Sequence, residues 1–192
     1  TMPQGILREH VPIEGKSQTD LIVGTLGPNR LSPDYFACMV GNNILGQFGM
    51  MGRIGESLRE KAGLAYYAQS EYGAGLGPSS WEITAGVNPV NLERAIQLIY
   101  EEIGKFIREP VSADELADTK SYLVGHLPLT LESNLGVAIT LLNLERFQLG
   151  LDYLQHFPRL VEAISASDIL AAAQKYWHLD QLVVASAGSS LT

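Results

Sequence analysis

The chain has 192 residues, 46% of them apolar, which suffices for one domain with a full core. Thirteen Lys and Arg stand against 21 Asp and Glu, and the net charge of −8 argues against the basic surface that nucleic acid requires. The single cysteine, Cys38, excludes an intrachain disulfide and any thiolate zinc cluster, and its apolar helical setting marks a core residue. No apolar run is long enough for a membrane helix and no segment has a signal-peptide pattern, so the expectation is no membrane partner and, by default, a cytoplasmic setting.

In chain order, Leu21 to Leu26 is apolar and β-branched and ends at Gly27-Pro28, which predicts a strand. Ser32-Pro33-Asp34 supplies an N-cap, a proline at the first helical position and an acid in the first turn, so a helix is expected from there to about Leu45. Gly46, Gly49 and Gly52 make a glycine-rich connection. A second helix is expected over about Gly52 to Ala62, closed by Gly63 as a left-handed cap. Leu64 to Tyr72 and Trp81 to Val87 read as strands joined by the wide loop Gly73 to Pro78; Trp81, Ile83 and Ala85 alternate with Glu82 and Thr84.

The second half is helical. Asn88-Pro89 opens a helix with Leu92, Ala95, Ile96, Ile99, Ile103 and Phe106 on one face. Ser112 and Glu115 form a capping-box pattern for the next helix, which carries Leu116, Leu123, Val124 and Leu127. Further helices are expected from about Ser133 to Gly150, from Asp152 to an interruption at Pro158, and from Ser165 and Asp168 to about Trp177. Leu182 to Ala187 is the closing strand. There is no repeat, low-complexity tract or polar linker, so residues 1–192 form a single domain. Three or four strands with segregated helices give an α+β fold: an antiparallel sheet with helices packed on one face.

Local motifs for chemistry are few. His10, His126, His156 and His178 include no pair four residues apart, so no helical metal pair exists. Arg8-Glu9-His10 matches the end of an H-x-x-E-H motif, but Ile6 stands at its first position. A nucleophile elbow and a phosphate loop are both missing. The glycines at 46, 49 and 52 suit either a plain helix connection or a mobile loop near a substrate. Arg59 lies one turn before Gly63, and Tyr66 just inside the following strand. As structure alone, Arg59 is a surface helix residue and Tyr66 a core edge. A sharp helix-to-strand turn can also bring both to one surface, where a guanidinium and a phenol suit a peptide carbonyl or an oxyanion.

The blocks Gln18-Thr19-Asp20, Pro33-Asp34-Tyr35, Asn43-Ile44-Leu45-Gly46, Arg53-Ile54 and Leu58-Arg59-Glu60-Lys61-Ala62-Gly63-Leu64-Ala65-Tyr66 come first. Glu115-Leu116, Lys120, Gly125-His126-Leu127-Pro128-Leu129, Gly150-Leu151-Asp152-Tyr153-Leu154 and Val183-Val184 with Gly188 follow in order. Together they resemble the C-terminal, zinc-less domain of pitrilysin/insulinase-type zinc metallopeptidases, including the processing-peptidase-like bacterial members. The resemblance implies the α–β roll of a metallopeptidase half, similar to LuxS. It implies a partner, either an N-terminal domain or a homologous subunit, that carries zinc in an inverted H-x-x-E-H motif and encloses peptide substrate in a chamber with this domain. It further implies that Arg59 and Tyr66 contact substrate near that zinc. Tyr66 would bond a carbonyl or oxyanion, and Arg59 would hold the substrate backbone or position Tyr66. Tyr67 is expected on the opposite strand face. In the two-chain members, the stretch corresponding to Gly46, Gly49 and Gly52 is associated with substrate handling. This chain holds no metal ligand set and no cofactor of its own by that reading, and alone it should not cleave peptides. The alternative from another class is a structural scaffold or peptide-binding subunit of the same fold.

Overall fold

The computed structural model describes residues 4–47 and 52–189. Strand β1 (Leu7–Pro12) and β2 (Thr19–Gly27) lead to helix α1 (Tyr35–Gly46). A short α2 (Gly52–Gly55) runs on as a π-helix over Glu56–Lys61, and the hairpin β3 (Ala65–Tyr72) and β4 (Ser79–Val87) follows. A 3-10 turn at Pro89–Asn91 introduces α3 (Leu92–Phe106); then come α4 (Ala113–Thr130), α5 (Asn134–Arg146), α6 (Tyr153–Glu162), α7 (Ala166–Tyr176) and β5 (Val183–Gly188).

The five strands lie in the order β1-β5-β2-β4-β3. β2 pairs antiparallel with β4 and with β5, and β3 pairs antiparallel with β4. The expected antiparallel sheet therefore holds from β5 to β3, while β1 adds a parallel edge against β5, with Leu7 opposite Val183 and His10 opposite Ser186. β1 was not expected from the sequence, because its residues are mostly exposed and carry no apolar alternation. Arg8-Glu9-His10 is thus strand, and His10 bonds Ser186 Oγ at 2.9 Å and the Ser189 carbonyl at 3.1 Å.

One sheet face is covered. Leu21, Val23, Ile83, Ala85 and Val184 from the strands meet Val40 and Leu45 of α1, Ile99, Ile103 and Phe106 of α3, and Ile169 and Ala173 of α7. Every residue expected on the apolar face of α3 is buried. A polar knot sits inside this layer: Asn42 Oδ1 accepts from Trp81 Nε1 at 2.9 Å and from Ser70 Oγ at 2.6 Å. All three side chains are buried, so each polar atom must find its partner within the core. Cys38 is fully buried beside them, and burial pushes its thiol up to about 12, which leaves it a core residue.

Three local expectations shift. Helix α1 starts at Tyr35, later than Ser32, because Ser32 Oγ accepts from the Asp34 amide and closes a turn ahead of the helix. The Asp34 carboxylate caps nothing; it accepts from Lys175 Nζ and Tyr176 Oη of α7, each at 2.6 Å, and these bonds hold its pKa low. Helix α5 ends at Arg146, four residues early, since Gln148 turns left-handed with φ of 51°. Helix α6 passes through Pro158 to Glu162. A proline there forfeits one backbone bond, and the buried Val161 on the far turn keeps the helix against the core. The capping box expected at Ser112/Glu115 forms, and Ser165 and Asp168, expected only to open α7, make a second one.

Candidate functional site

Arg59 lies in the π-helical stretch Glu56–Lys61, which ends on Ala62 with Gly63 at φ of 63°. The Leu64 amide reaches back to the Leu58 carbonyl at 2.9 Å, and the Gly63 amide to that of Arg59 at 3.1 Å. Only glycine takes that left-handed conformation without cost, so the sharp helix-to-strand turn expected from the sequence is present. Single-turn π segments recur where helices serve functional sites.

The strand after the turn is not regular. Ala65 pairs with Val87 and Tyr67 with Gly86, so two steps along β3 match one along β4, and Tyr66 is the extra residue of a β-bulge. Bulges re-aim side chains, and Tyr66 is 82% exposed rather than a core edge. Simple alternation, the basis for the Tyr67 expectation, is broken here. Tyr67 lies over Gly86 on the uncovered sheet face and donates to Asp20 Oδ1 at 3.2 Å; a Cβ on Gly86 would strike its ring. Asp20 also accepts from Lys16 at 2.5 Å and Gln18 at 3.1 Å, and its pKa falls, chiefly through Lys16.

Arg59 stands before the glycine turn and Tyr66 after it, and no hydrogen bond joins them among the described residues. The Arg59 guanidinium is partly exposed and makes only a long 3.6 Å contact to Glu60. Below the same helix lies a cavity of about 290 Å³ lined by Ile44, Arg53, Glu56, Glu60, Glu115 and Thr119. Arg53 holds Glu115 in a two-point pair, Nε at 2.6 Å and Nη2 at 2.8 Å. That fork holds the Glu115 carboxyl down at about 2, with help from Ser112. Arg53 and Glu115 were each visible as parts of motifs; their pairing across 62 residues was not.

Gly46 and Gly52 each have a packing reason to be glycine. A Cβ on Gly46 would run into the Ser70 backbone, and one on Gly52, at φ of 60°, would lie 2.6 Å from the Ile44 carbonyl. Gly49 falls outside the described residues.

The residues do not fit a zinc ion: among the described residues no group of three His, Cys, Asp or Glu side chains could hold a metal. The histidines serve four separate places. His126 stacks on Tyr122, His156 bonds Asp152 at 3.0 Å, and His178 bonds the Lys175 carbonyl at 3.1 Å, while His10 stays on β1. No single described helix is long and apolar enough to cross a membrane.

Among the described residues a five-stranded sheet packs with seven helices, an α+β architecture, and Tyr66 stands exposed on the strand that follows the Gly63 turn. The Peptidase M16 inactive domain family matches residues 3–123, and the chain belongs to it as the zinc-less C-terminal domain of the pitrilysin/insulinase type. A solved peptidase M16 inactive domain from Pseudomonas fluorescens superposes with a TM-score of 0.86 at 28% identity, covering 100% of this chain and 45% of that one. A protease from Helicobacter pylori has the same fold, with a TM-score of 0.86 at 22% identity over 96% of this chain and 44% of its own. The "Probable inactive metalloprotease YmfF" of Bacillus subtilis is 27% identical over 142 residues, 74% of this chain and 32% of that protein. The "Uncharacterized zinc protease YmxG" of the same bacterium is 28% identical over 116 residues, 60% of this chain and 28% of its own. The chain thus spans about a third of the curated relatives it matches.

Proposed function

We propose that this domain is the substrate-clamping, non-catalytic half of a zinc metalloendopeptidase, paired with a metal-bearing N-terminal domain or a homologous subunit. Tyr66 donates its phenol to a peptide carbonyl or to the developing oxyanion, and Arg59 holds the substrate backbone or positions Tyr66. The observation that carries this reading is the bulge. A large aromatic side chain is lifted out of a strand into solvent, directly after a glycine turn that follows an underused arginine. Zinc and its activated water belong to the partner, since the described residues offer no ligand set. Gly46, Gly49 and Gly52 are assigned to substrate handling with Arg59 and Tyr66, on the strength of the glycine-rich sequence alone. Among the fold relatives, the ferredoxin protease FusC was solved in complex with Arabidopsis ferredoxin, which supports a polypeptide as the substrate class.

The test is turnover of a quenched fluorescent peptide by the assembled, metal-bearing protein. Tyr66→Phe removes one donor to the transition state and should lower kcat roughly 100-fold or more, with little effect on KM. Arg59→Ala should raise KM as well. Unchanged turnover in both variants would sink the assignment and leave the scaffold reading. That second reading is favoured by the word "inactive" in the name of one relative, and it expects neither residue to matter.

A further inference from the structure

A second cavity, of about 400 Å³, opens beyond the far end of β3, between the loop after β2, helix α5 and the start of α6. It lies roughly 20 Å from Tyr66 at about 3.3 Å per strand residue, so one side chain cannot serve both places. Its walls include Arg30, Tyr35, Asn143, Arg146 and Tyr153. Arg30 is only partly exposed, and its guanidinium carbon sits 3.7 Å above the centre of the Tyr35 ring and 5.3 Å from that of Tyr153. Its Nη2 donates to Tyr153 Oη at 2.6 Å. Arg146 approaches from α5, its guanidinium carbon 5.3 Å from the Phe147 ring centre.

The missing element is negative charge. The chain carries 21 acidic residues, yet no Asp or Glu lines this cavity, and neither Arg30 nor Arg146 forms an ion pair among the described residues. By contrast Arg8, Arg53 and Arg94 all hold carboxylates. Ring faces offset part of the cost of burying a guanidinium, but one Tyr hydroxyl leaves most of the Arg30 fork unused. Burial raises the Tyr35 and Tyr153 pKa values, so both phenols stay neutral; the Tyr35 hydroxyl donates to Met39 Sδ at 3.5 Å.

We infer that this cavity is a carboxylate-binding subsite, in which Arg30 and Arg146 together take the C-terminal carboxylate of a bound peptide. The carboxylate follows from the unpaired guanidinium groups; the peptide as its carrier rests on the function proposed above. A planar carboxylate matches the free side of the Arg30 fork, and the aromatic walls suit the apolar side chain beside it.

The probe is a fluorescein-labelled neutral decapeptide ending in phenylalanine, prepared as the free acid and as the C-terminal amide. Binding to the full chain is read by fluorescence anisotropy. The free acid should bind about tenfold more tightly, the size of one charge-assisted contact. Arg146→Gln, at an exposed position, should erase most of that preference with an unchanged melting temperature, and Arg30→Lys should weaken it while keeping the positive charge in the cradle. Equal binding of acid and amide, or a preference that survives both substitutions, overturns the inference. Displacement of the peptide by inorganic phosphate at concentrations where acetate has no effect overturns the carboxylate assignment. The Arg59→Ala/Tyr66→Phe double variant separates the two sites. A preference retained there supports an independent subsite even if the clamp role fails, and a preference lost there places the carboxylate at the Tyr66 corner and refutes this one.

Discussion

Helices α3 and α5 are both rich in large apolar residues, yet one is the floor of the core and the other lies on the surface. In α3, Leu92, Ala95, Ile96, Ile99, Ile103 and Phe106 recur at helical spacing and are all buried against the sheet. In α5, Leu135, Val137, Ile139, Leu141 and Leu142 are spread around the helix and exposed, Leu135 at 70%; only Leu144 is buried. Apolar content supplies the drive for burial, but periodicity decides whether one neighbouring surface can satisfy it. A single sheet face can cover a stripe and cannot cover a cylinder. Helix α4, between them, is also thinly buried, with Thr119 its one buried residue. Leu116, Leu123 and Val124 pack partly buried against the core, and polar links add to them through Arg53–Glu115 and the Lys120 bond to the Glu162 carbonyl at 2.8 Å.

This contrast can be broken at its strong end first. Trp81→Ala in the covered layer should cost about 4 kcal/mol from cavity formation, with more from the donor that Asn42 Oδ1 loses. Urea unfolding gives the value, and a cost under about 1 kcal/mol would contradict the buried knot. The charged link comes next. Glu115→Gln keeps the capping-box acceptor and removes the charge that Arg53 holds, at about 1–2 kcal/mol after discounting for a carboxylate one-third exposed. The Glu115 pKa is lowered from 4.5 to about 2. Its contribution is therefore complete above about pH 4.5 and is lost as pH falls towards 2, so the gap between parent and variant should close over that interval. A gap that stays constant down to pH 2 would refute the Arg53 link, and hydrogen exchange in the variant should quicken in α4 and leave α3 slow. The smallest effect belongs to α5: Leu142→Gln should change stability by no more than about 0.5 kcal/mol. A loss as large as that of a core residue would mean that α5 is covered in the folded protein.

Other features divide along the same line. The corner at Gly63 was legible because a helix end, a glycine and an aromatic strand start lie within eight residues of Arg59. The bulge that exposes Tyr66 was not, since it exists only in the register between β3 and β4. Gly46 was legible as part of a glycine-rich connection, while its reason for being glycine is the backbone of Ser70, a residue of another element.

By itself the sequence determined what depends on near neighbours: strands β2 to β5, the capping box at Ser112 and Glu115, the start of α7 at Ser165, the apolar stripe of α3, the glycine stop after Arg59 and the family pattern that these carry. Only the tertiary structure decided the parallel pairing of β1 with β5, the passage of α6 through Pro158, the surface position of α5 and the cradle around Arg30. The physical reason is range. Caps and periodicity act over one or two turns, whereas Arg30 meets Tyr153 across 123 residues, a distance that chain entropy leaves open until the core has closed.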